Sequence, residues 1–336
     1  KDGIPDKHSF KATVGASEVG VNARGHIGDK TTYVASVRQS YLQLLFKLLG
    51  LPLLPNYIDA LAKFKVKPDR QNEFSVVALA GFDNMKLSDS PDDPGDEYLL
   101  SYLPKLKQET FTIGTSYRHF GDGHVQTYVL SYNYLNNRSM KYMNNDDSDP
   151  GSLMLRSSSL EGKAQFRFEN RSYYGSWTVR EGGVADWRHY DASVYKRTTD
   201  NAYVSNDTYL GFLEYALFAS ADYRSPSSKV NASFGLRLDG STFSSATAAF
   251  WKQFSPRASV SYMPWDSWSF NASAAIYHQL PPLTALSYRD ADGNPVAEIM
   301  PSAADCDSKK CDGSESASAK HAASVNYADY LENRDT

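Results

Sequence analysis

Cysteine is nearly absent: Cys306 and Cys311 are the only two in 336 residues. Both lie in the polar segment 304–312, where they suit a local loop disulfide in an oxidising compartment. A metal pair would need further Cys or His ligands nearby, and the segment has none. Long apolar runs are missing as well. No stretch approaches the roughly 18 uncharged apolar residues of a membrane-crossing helix, and mean hydropathy is −0.50. Any crossing must therefore be made by strands, whose signal averages out in hydropathy. The formal net charge of −4 supplies no basic stripe of the kind a nucleic-acid partner requires. His8, His26, His119, His124, His189, His278 and His321 are scattered, and HExxH, phosphate-loop and GxSxG motifs are all missing. No catalytic residue, cofactor or metal site is assigned. The first residues show no basic region followed by an apolar core, so the chain is expected to start at Lys1 after processing or as an internal cut from something longer.

Aromatics, by contrast, are plentiful at 13%, led by 23 Tyr, a residue with an apolar body and a polar tip that suits strands at an interface. The clearest pattern runs from Ser227 to Pro282. Val230, Ala232, Phe234, Leu236 and Leu238 alternate with Asn231, Ser233, Arg237 and Asp239. Phe254, Pro256, Ala258, Val260 and Tyr262 alternate with Ser255, Arg257, Ser259 and Ser261. Trp268, Phe270, Ala272, Ala274 and Ile276 alternate with Ser269, Asn271 and Ser273. Each run is a strand with one apolar side. The other side is small and wet, which suits a water-filled interior or solvent. Tyr262, Trp265 and Trp268 cluster at a tight turn, as interface girdles do.

Along the chain, short connections fall at Gly28, Pro68, Gly121, Arg171, Arg224 and Pro264. Long ones fall at Leu42, Asp83, Asn136, Trp187, Ser241 and Leu283. The opening stretch counts as one run, which gives about twelve strands of roughly ten residues. Segments 136–160 and 187–207 read as long loops. Segment 42–54 reads as a strand top continuing into a short helix. The acidic, proline-rich segment 83–108 lacks the ordered spacing of a calcium loop and reads as solvated. Residues 283–320 read as loop, and 321–336 could begin a further strand. The fold class expected is all-β: an antiparallel transmembrane β-barrel, partial, with long external loops, occupying 1–336 as a single domain and holding no plug.

Glu161 and Glu169 share a strand face and read as lining a wet interior rather than as an acid/base pair. Arg38, Arg167, Arg180 and Arg237 lie on polar faces and are the candidate lumen-facing residues, forming a charged wall that steers anionic solutes; no ligand-binding residue is assigned. The alternative is that they pair with Glu169, Glu181 and Asp239. Asn137, Asn206 and Asn231 begin Asn-x-Ser/Thr triplets of the frequency chance produces in so Ser-rich a chain.

The stretch from Phe254 to Tyr262, with Trp268-Ser-Phe270 and Ile276 to Pro282, resembles the mid-barrel signature of TonB-dependent outer-membrane receptors. Gly25 to Tyr33 with Ser40-Tyr41, and Phe74 to Asn84, resemble the first barrel strands of the Bacteroidetes branch. The resemblance covers most of 10–282. It implies about half of a barrel of about 22 strands with a plugged interior, in the cell outer membrane. It also implies uptake of a scarce nutrient such as a siderophore, metal complex, glycan or peptide. The implied partners are outer-membrane lipid and the TonB complex, the latter through a plug that the sequence does not contain. The long loops 83–108, 136–160 and 283–320 would carry the ligand. A passive porin or adhesin barrel, and a secreted β-sandwich that binds carbohydrate, remain open alternatives.

Overall fold

The structure, a computed structural model, describes residues 7–88, 94–197, 203–265 and 267–287. Cys306, Cys311, most of segment 283–320 and all of 321–336 lie outside the described residues. Residues 1–279 form one compact unit and residues 280–336 a second. In the second, the described residues hold a single helical turn at Leu283–Leu286.

The first unit is built on one antiparallel sheet of thirteen strands in chain order. They are β1 (Ser9–Val14), β2 (Glu18–Ile27), β3 (Thr31–Ser40), β4 (Leu53–Val66), β5 (Asn72–Leu87), β6 (Lys105–Gly121) and β7 (His124–Tyr142). These are followed by β8 (Leu153–Tyr174), β9 (Trp177–Arg197), β10 (Tyr203–Arg224), β11 (Val230–Ser241), β12 (Phe254–Trp265) and β13 (Trp268–Ala275). Every strand pairs only with its sequence neighbours, so among the described residues β1 and β13 each keep one edge unpaired. No described helix is long and apolar enough to cross a membrane.

The alternation of apolar and polar residues sets the register. Phe234 faces Ala221 on one side and Ala258 on the other, so the apolar positions of β10, β11 and β12 share a face. One hydrogen-bonded row carries Phe74, Tyr117, Tyr128 and Phe168 across β5 to β8 on that face. Their ring centroids are 4.6, 5.9 and 5.0 Å apart in succession, contacts worth about 0.5–1.5 kcal/mol each beyond area burial. A sandwich would cover this face with a second sheet. Here Phe234 and Leu236 remain 53% and 51% exposed, so no second layer of this unit packs on them.

Three of the expectations need correction. The opening stretch is two strands, because the chain reverses at 15–17. Segments 136–160 and 187–207 are mostly ladder: β7 and β8 pair from Asn136–Leu160 out to Tyr142–Leu153, and β9 and β10 pair out to Arg197–Tyr203. With β8 and β10 each 22 residues long, at about 3.3 Å per residue they reach roughly 70 Å. Polar runs such as Ser157-Ser158-Ser159 break the alternation because both faces of an extended ladder can meet water, while backbone pairing needs no apolar side chain. Segment 83–108 is also partly regular: β5 runs to Leu87, a helix covers Pro94–Tyr102, and β6 starts at Lys105. Segment 42–54 does hold the expected short helix, at Leu42–Leu48.

The connections alternate by end. One end carries 28–30, 67–71, 122–123, 175–176, 225–229 and 266–267. The other carries 15–17, 41–52, 88–104, 143–152, 198–202 and 242–253. At the first end Gly28, Gly123 and Gly175 adopt φ of +60°, +71° and +57°, the left-handed region that side chains disfavour and tight hairpins need.

Candidate functional site

Strand parity puts all four candidate arginines on the polar face. Arg38 in β3 faces Gly20 and Asp59, Arg167 in β8 faces Val129 and Val184, Arg180 in β9 faces Arg171 and Ser220, and Arg237 in β11 faces Phe218 and Ser255. Arg167, Arg180 and Arg237 fall within four adjacent strands, while Arg38 stands five strands away from Arg167.

None of the four is a free charge. The Arg38 guanidinium clasps Asp59 with Nε–Oδ1 at 3.1 Å and Nη2–Oδ2 at 2.9 Å, the two-point geometry that a planar fork favours. Arg167 reaches Glu169 at 2.6 Å, and Arg171 reaches the other oxygen of the same carboxylate at 3.2 Å. Arg180 pairs with Asp222, which also accepts a 2.6 Å bond from the Ser233 hydroxyl. Arg237 holds Asp239 at 2.8 Å. Pairs this exposed contribute about 0–1 kcal/mol each. Their larger consequence is geometric, since each arginine is fixed in place.

The expected partners are right for Glu169 and Asp239 and wrong for Glu181. Glu181 faces Ala219 and Asn170 on the apolar side of the sheet, so Arg180 cannot meet it. Adjacent residues in a strand point to opposite faces, and sequence adjacency misled the pairing.

A glycine shapes the centre of this wall. Gly182 in β9 lies between Glu169 and Phe218 on the polar face. A Cβ there would come within 2.2 Å of the Phe168 carbonyl oxygen and 2.8 Å of the Phe218 ring. The glycine therefore lets the Phe218 ring lie across the strand. Arg167 stacks over that ring with its guanidinium carbon 4.9 Å from the centroid, a cation–π contact.

Several charged groups that the sequence reading passed over share the polar face. Glu73, only 6% exposed, is surrounded by Lys67 at 3.2 Å, Arg118 at 3.5 Å and Lys65 at 3.6 Å. Lys163 meets Asp186 at 2.8 Å, and Arg188 meets Glu214 at 2.6 Å. All have the parity of the polar face, and that was the available signal. It could be used only where strand limits were correct, and Asp186, Arg188 and Glu214 rise beside the segment that read as loop. Glu161 shares this face with Glu169, eight residues from it. Glu169 is bound to its two arginines, and the two carboxylates form no dyad.

At the end bearing the longer connections, the helix Pro94–Tyr102 is tied to β7. The Lys141 ammonium donates to the Leu100 carbonyl and to Asn145 Oδ1, both at 2.6 Å. Beyond β7, Lys105 holds the Asp147 carboxyl below the usual carboxylate range by hydrogen bond and charge, and the Ser148 hydroxyl and amide do the same for Asp146. At the opposite end, a polar groove of about 480 Å³ is lined by Thr178, Asp222, Asn231, Ser259, Ser261 and Asn271, among others. Among the described residues, no group of three or more His, Cys, Asp or Glu is arranged to hold a metal ion.

A family model described as TonB dependent receptor-like, beta-barrel matches residues 56–304. The fold is similar to that of the ferripyoverdine receptor of the outer membrane of Pseudomonas aeruginosa, bound to ferripyoverdine. That match has a TM-score of 0.62 and 12% identity, over 86% of this chain and 44% of the receptor. It is also similar to the copper transporter OprC, with a TM-score of 0.58 and 14% identity over 82% and 45% of the two chains. The Pseudomonas aeruginosa ferric enterobactin receptor PfeA gives 0.56 and 13% over 83% and 44%. The chain thus spans under half the length of these structures. Among curated proteins, no sequence match is found.

Proposed function

Because the chain belongs to the TonB-dependent receptor β-barrel family of outer-membrane proteins, we propose that it supplies part of the wall of a transporter that takes up a scarce nutrient. Candidate cargoes are a siderophore, a metal complex, a glycan or a peptide. The proposed energy source is the TonB complex, acting through a plug seated against the polar face. The observation that carries this reading is the two-sided sheet. Its apolar face is exposed and ringed by aromatics, as a lipid-facing surface is, and its polar face is a lattice of fixed ion pairs.

In this reading the shorter connections face the periplasm and the longer ones the outside. Arg167, Arg180 and Arg237 line the interior where a plug or a passing solute touches the wall. Strands β7 to β10 continue beyond the bilayer as a vestibule, with the helix Pro94–Tyr102 held at its rim by Lys141. The names of the similar structures favour a metal-bearing cargo, since one is a copper transporter and one is bound to ferripyoverdine.

The test is uptake by cells that express the full-length gene product, with labelled ferric siderophores, copper, oligosaccharides and peptides offered separately. Uptake of one cargo that disappears when the TonB complex is deleted is the expected result. Uptake that persists unchanged without TonB would make the protein a passive pore.

A further inference from the structure

Toward the hairpin end of β11 to β13 the polar face changes character. Asn231, Ser233, Ser259, Ser261, Asn271 and Ser273 occupy two adjacent rows of the ladder there and form the floor of the groove of about 480 Å³. An arginine stands at each end of this floor. Arg224 lines the groove and faces Asn231, while Arg257 faces Gly235, in the row beyond Ser233. Gly235 lets the exposed Arg257 side chain lie along the sheet, since a Cβ there would come within 2.5 Å of its Nε and 2.9 Å of its Cγ. Arg224 reaches the Ser228 hydroxyl at 3.4 Å, and no described carboxylate forms an ion pair with either arginine. The carboxylate in the groove, Asp222, is already held by Arg180 and by the Ser233 hydroxyl.

Same-face residues of a strand are about 6.8 Å apart, so the rows of Arg224 and Arg257 lie about 14 Å apart with the Ser and Asn floor between them. Each guanidinium keeps its charge and its fork of donors. The hydroxyls and amides of the floor both donate and accept. An anion is thus attracted at either end and held weakly at several points between, which is what lets a solute enter a passage and leave it again. A cation is repelled, and a neutral solute gains nothing from the arginines. Across β4 to β9 the same face is crossed by Glu73 with its three cations, by Lys163–Asp186 and by Arg167–Glu169–Arg171. A solute moving there would have to part charges already in contact.

We propose that the groove is the part of the described wall along which cargo moves to the periplasm, and that this cargo is an oxygen-rich anion, with carboxylate or phosphate groups among its hydroxyls or amides. Arg257 takes the anionic group first, the Ser and Asn floor exchanges hydrogen bonds with the rest, and Arg224 receives it beside the hairpin end. This role rests on the transport reading above and narrows the cargo by its charge.

The test uses outer membranes holding the full-length gene product with Ser259→Cys, treated with two methanethiosulfonates of similar size, one bearing a sulfonate and one a trimethylammonium. Each rate is divided by that of the same reagent with glutathione, and protein without the added cysteine is treated in parallel. The sulfonate reagent should be favoured about tenfold at low salt, the lower end of what a cleft of one charge sign does to local ion concentration, and less at high salt. Adding Arg224→Gln and Arg257→Gln should erase the preference. Equal rates with both arginines present, or a preference that survives the loss of both, would overturn the anionic assignment. Uptake by cells is then measured before and after the sulfonate reagent modifies Ser273→Cys. Modification there should abolish uptake, whereas modified Thr127→Cys, between Arg118 and Glu169, should leave it unchanged. Uptake that persists past modified Ser273→Cys, or that is lost equally at both positions, would overturn the passage. Cells that take up no cargo before modification would count against transport itself, and the reagent preference would still decide whether the groove selects anions.

Discussion

Placing an arginine at Leu236 tests the assignment of the two sheet faces directly. Leu236 is the seventh residue of β11, on the apolar face between Ala219 and Pro256, and is half exposed. Six residues of rise at about 3.4 Å, on a strand tilted by about 40°, place it roughly 15 Å from the hairpin end, near the middle of an apolar band about 25 Å tall. A guanidinium at that depth costs about 2–4 kcal/mol, a factor of roughly 30 to 900 in the folding equilibrium. The matched control is Ser259→Arg, one strand away on the polar face, where the new charge meets a groove of Ser and Asn side chains. There the change should stay within about 0.5 kcal/mol. Both variants of the full-length protein would be refolded into bilayers and unfolded with urea. Equal stability of the two, or a loss confined to Ser259→Arg, would refute the assignment of the faces.

Three further outcomes follow from the polar face and its turns. Gly182→Ala should destabilise the protein by about 1–3 kcal/mol, because the new Cβ meets the Phe168 carbonyl oxygen at 2.2 Å and neither backbone can withdraw; urea midpoints would measure it, and a wild-type midpoint would refute the close approach. Glu73→Gln removes the charge shared by Lys65, Lys67 and Arg118 and should cost about 1–3 kcal/mol at low salt, with part recovered at high salt as the three cations are screened. In the turn at 67–71, Asp69 accepts hydrogen bonds from the Asn72 side chain and the Gln71 amide, which hold its carboxyl below the ordinary aspartate value. A depressed folded-state pKa gives stability that is present above the unfolded value and lost as pH falls through the folded one, so Asp69→Asn should flatten the acid limb of a stability–pH curve and leave neutral pH nearly unchanged.

What the sequence disclosed was the part of each strand that has one side wet and one side apolar. In β11 to β13 every apolar position was legible, because Val230 to Leu238 and Trp268 to Ile276 alternate without interruption. Two hairpin ends were nearly as clear, since Gly28 and Gly123 sit where the backbone needs positive φ, whereas the short connection expected at Arg171 lies at 175–176, because 171–174 still pair as the end of β8. The upper halves of β7 to β10 were lost because their pairing is carried by backbone hydrogen bonds, which leave no trace in side-chain polarity. The same cause hid the charges there. Asp186 and Arg188 have partners one strand away, and the register of that strand cannot be read from composition. The four arginines were correctly placed by parity, while the Glu181 partnership failed by ignoring it.

The pairing of the polar-face arginines limits what that face can do to a solute. Two opposite charges about 3 Å apart present a dipole to anything farther away than a few side-chain lengths, and at physiological salt the remaining field is screened within about 8 Å. Arg38, Arg180 and Arg237 therefore act at contact range, as oriented donors, and do not pull anions in from solution. Glu73 differs, because one carboxylate shares three cations and the excess positive charge stays. Arg257 differs too: its side chain lies across Gly235, and no described carboxylate forms an ion pair with it. Glu169, one carboxylate between Arg167 and Arg171, leaves an excess too, so attraction of anionic cargo by the described wall comes from unbalanced places such as these three. Neutralising a cation in any of them should change the salt dependence of uptake, whereas replacing Arg237 and Asp239 together by neutral residues should leave that dependence alone.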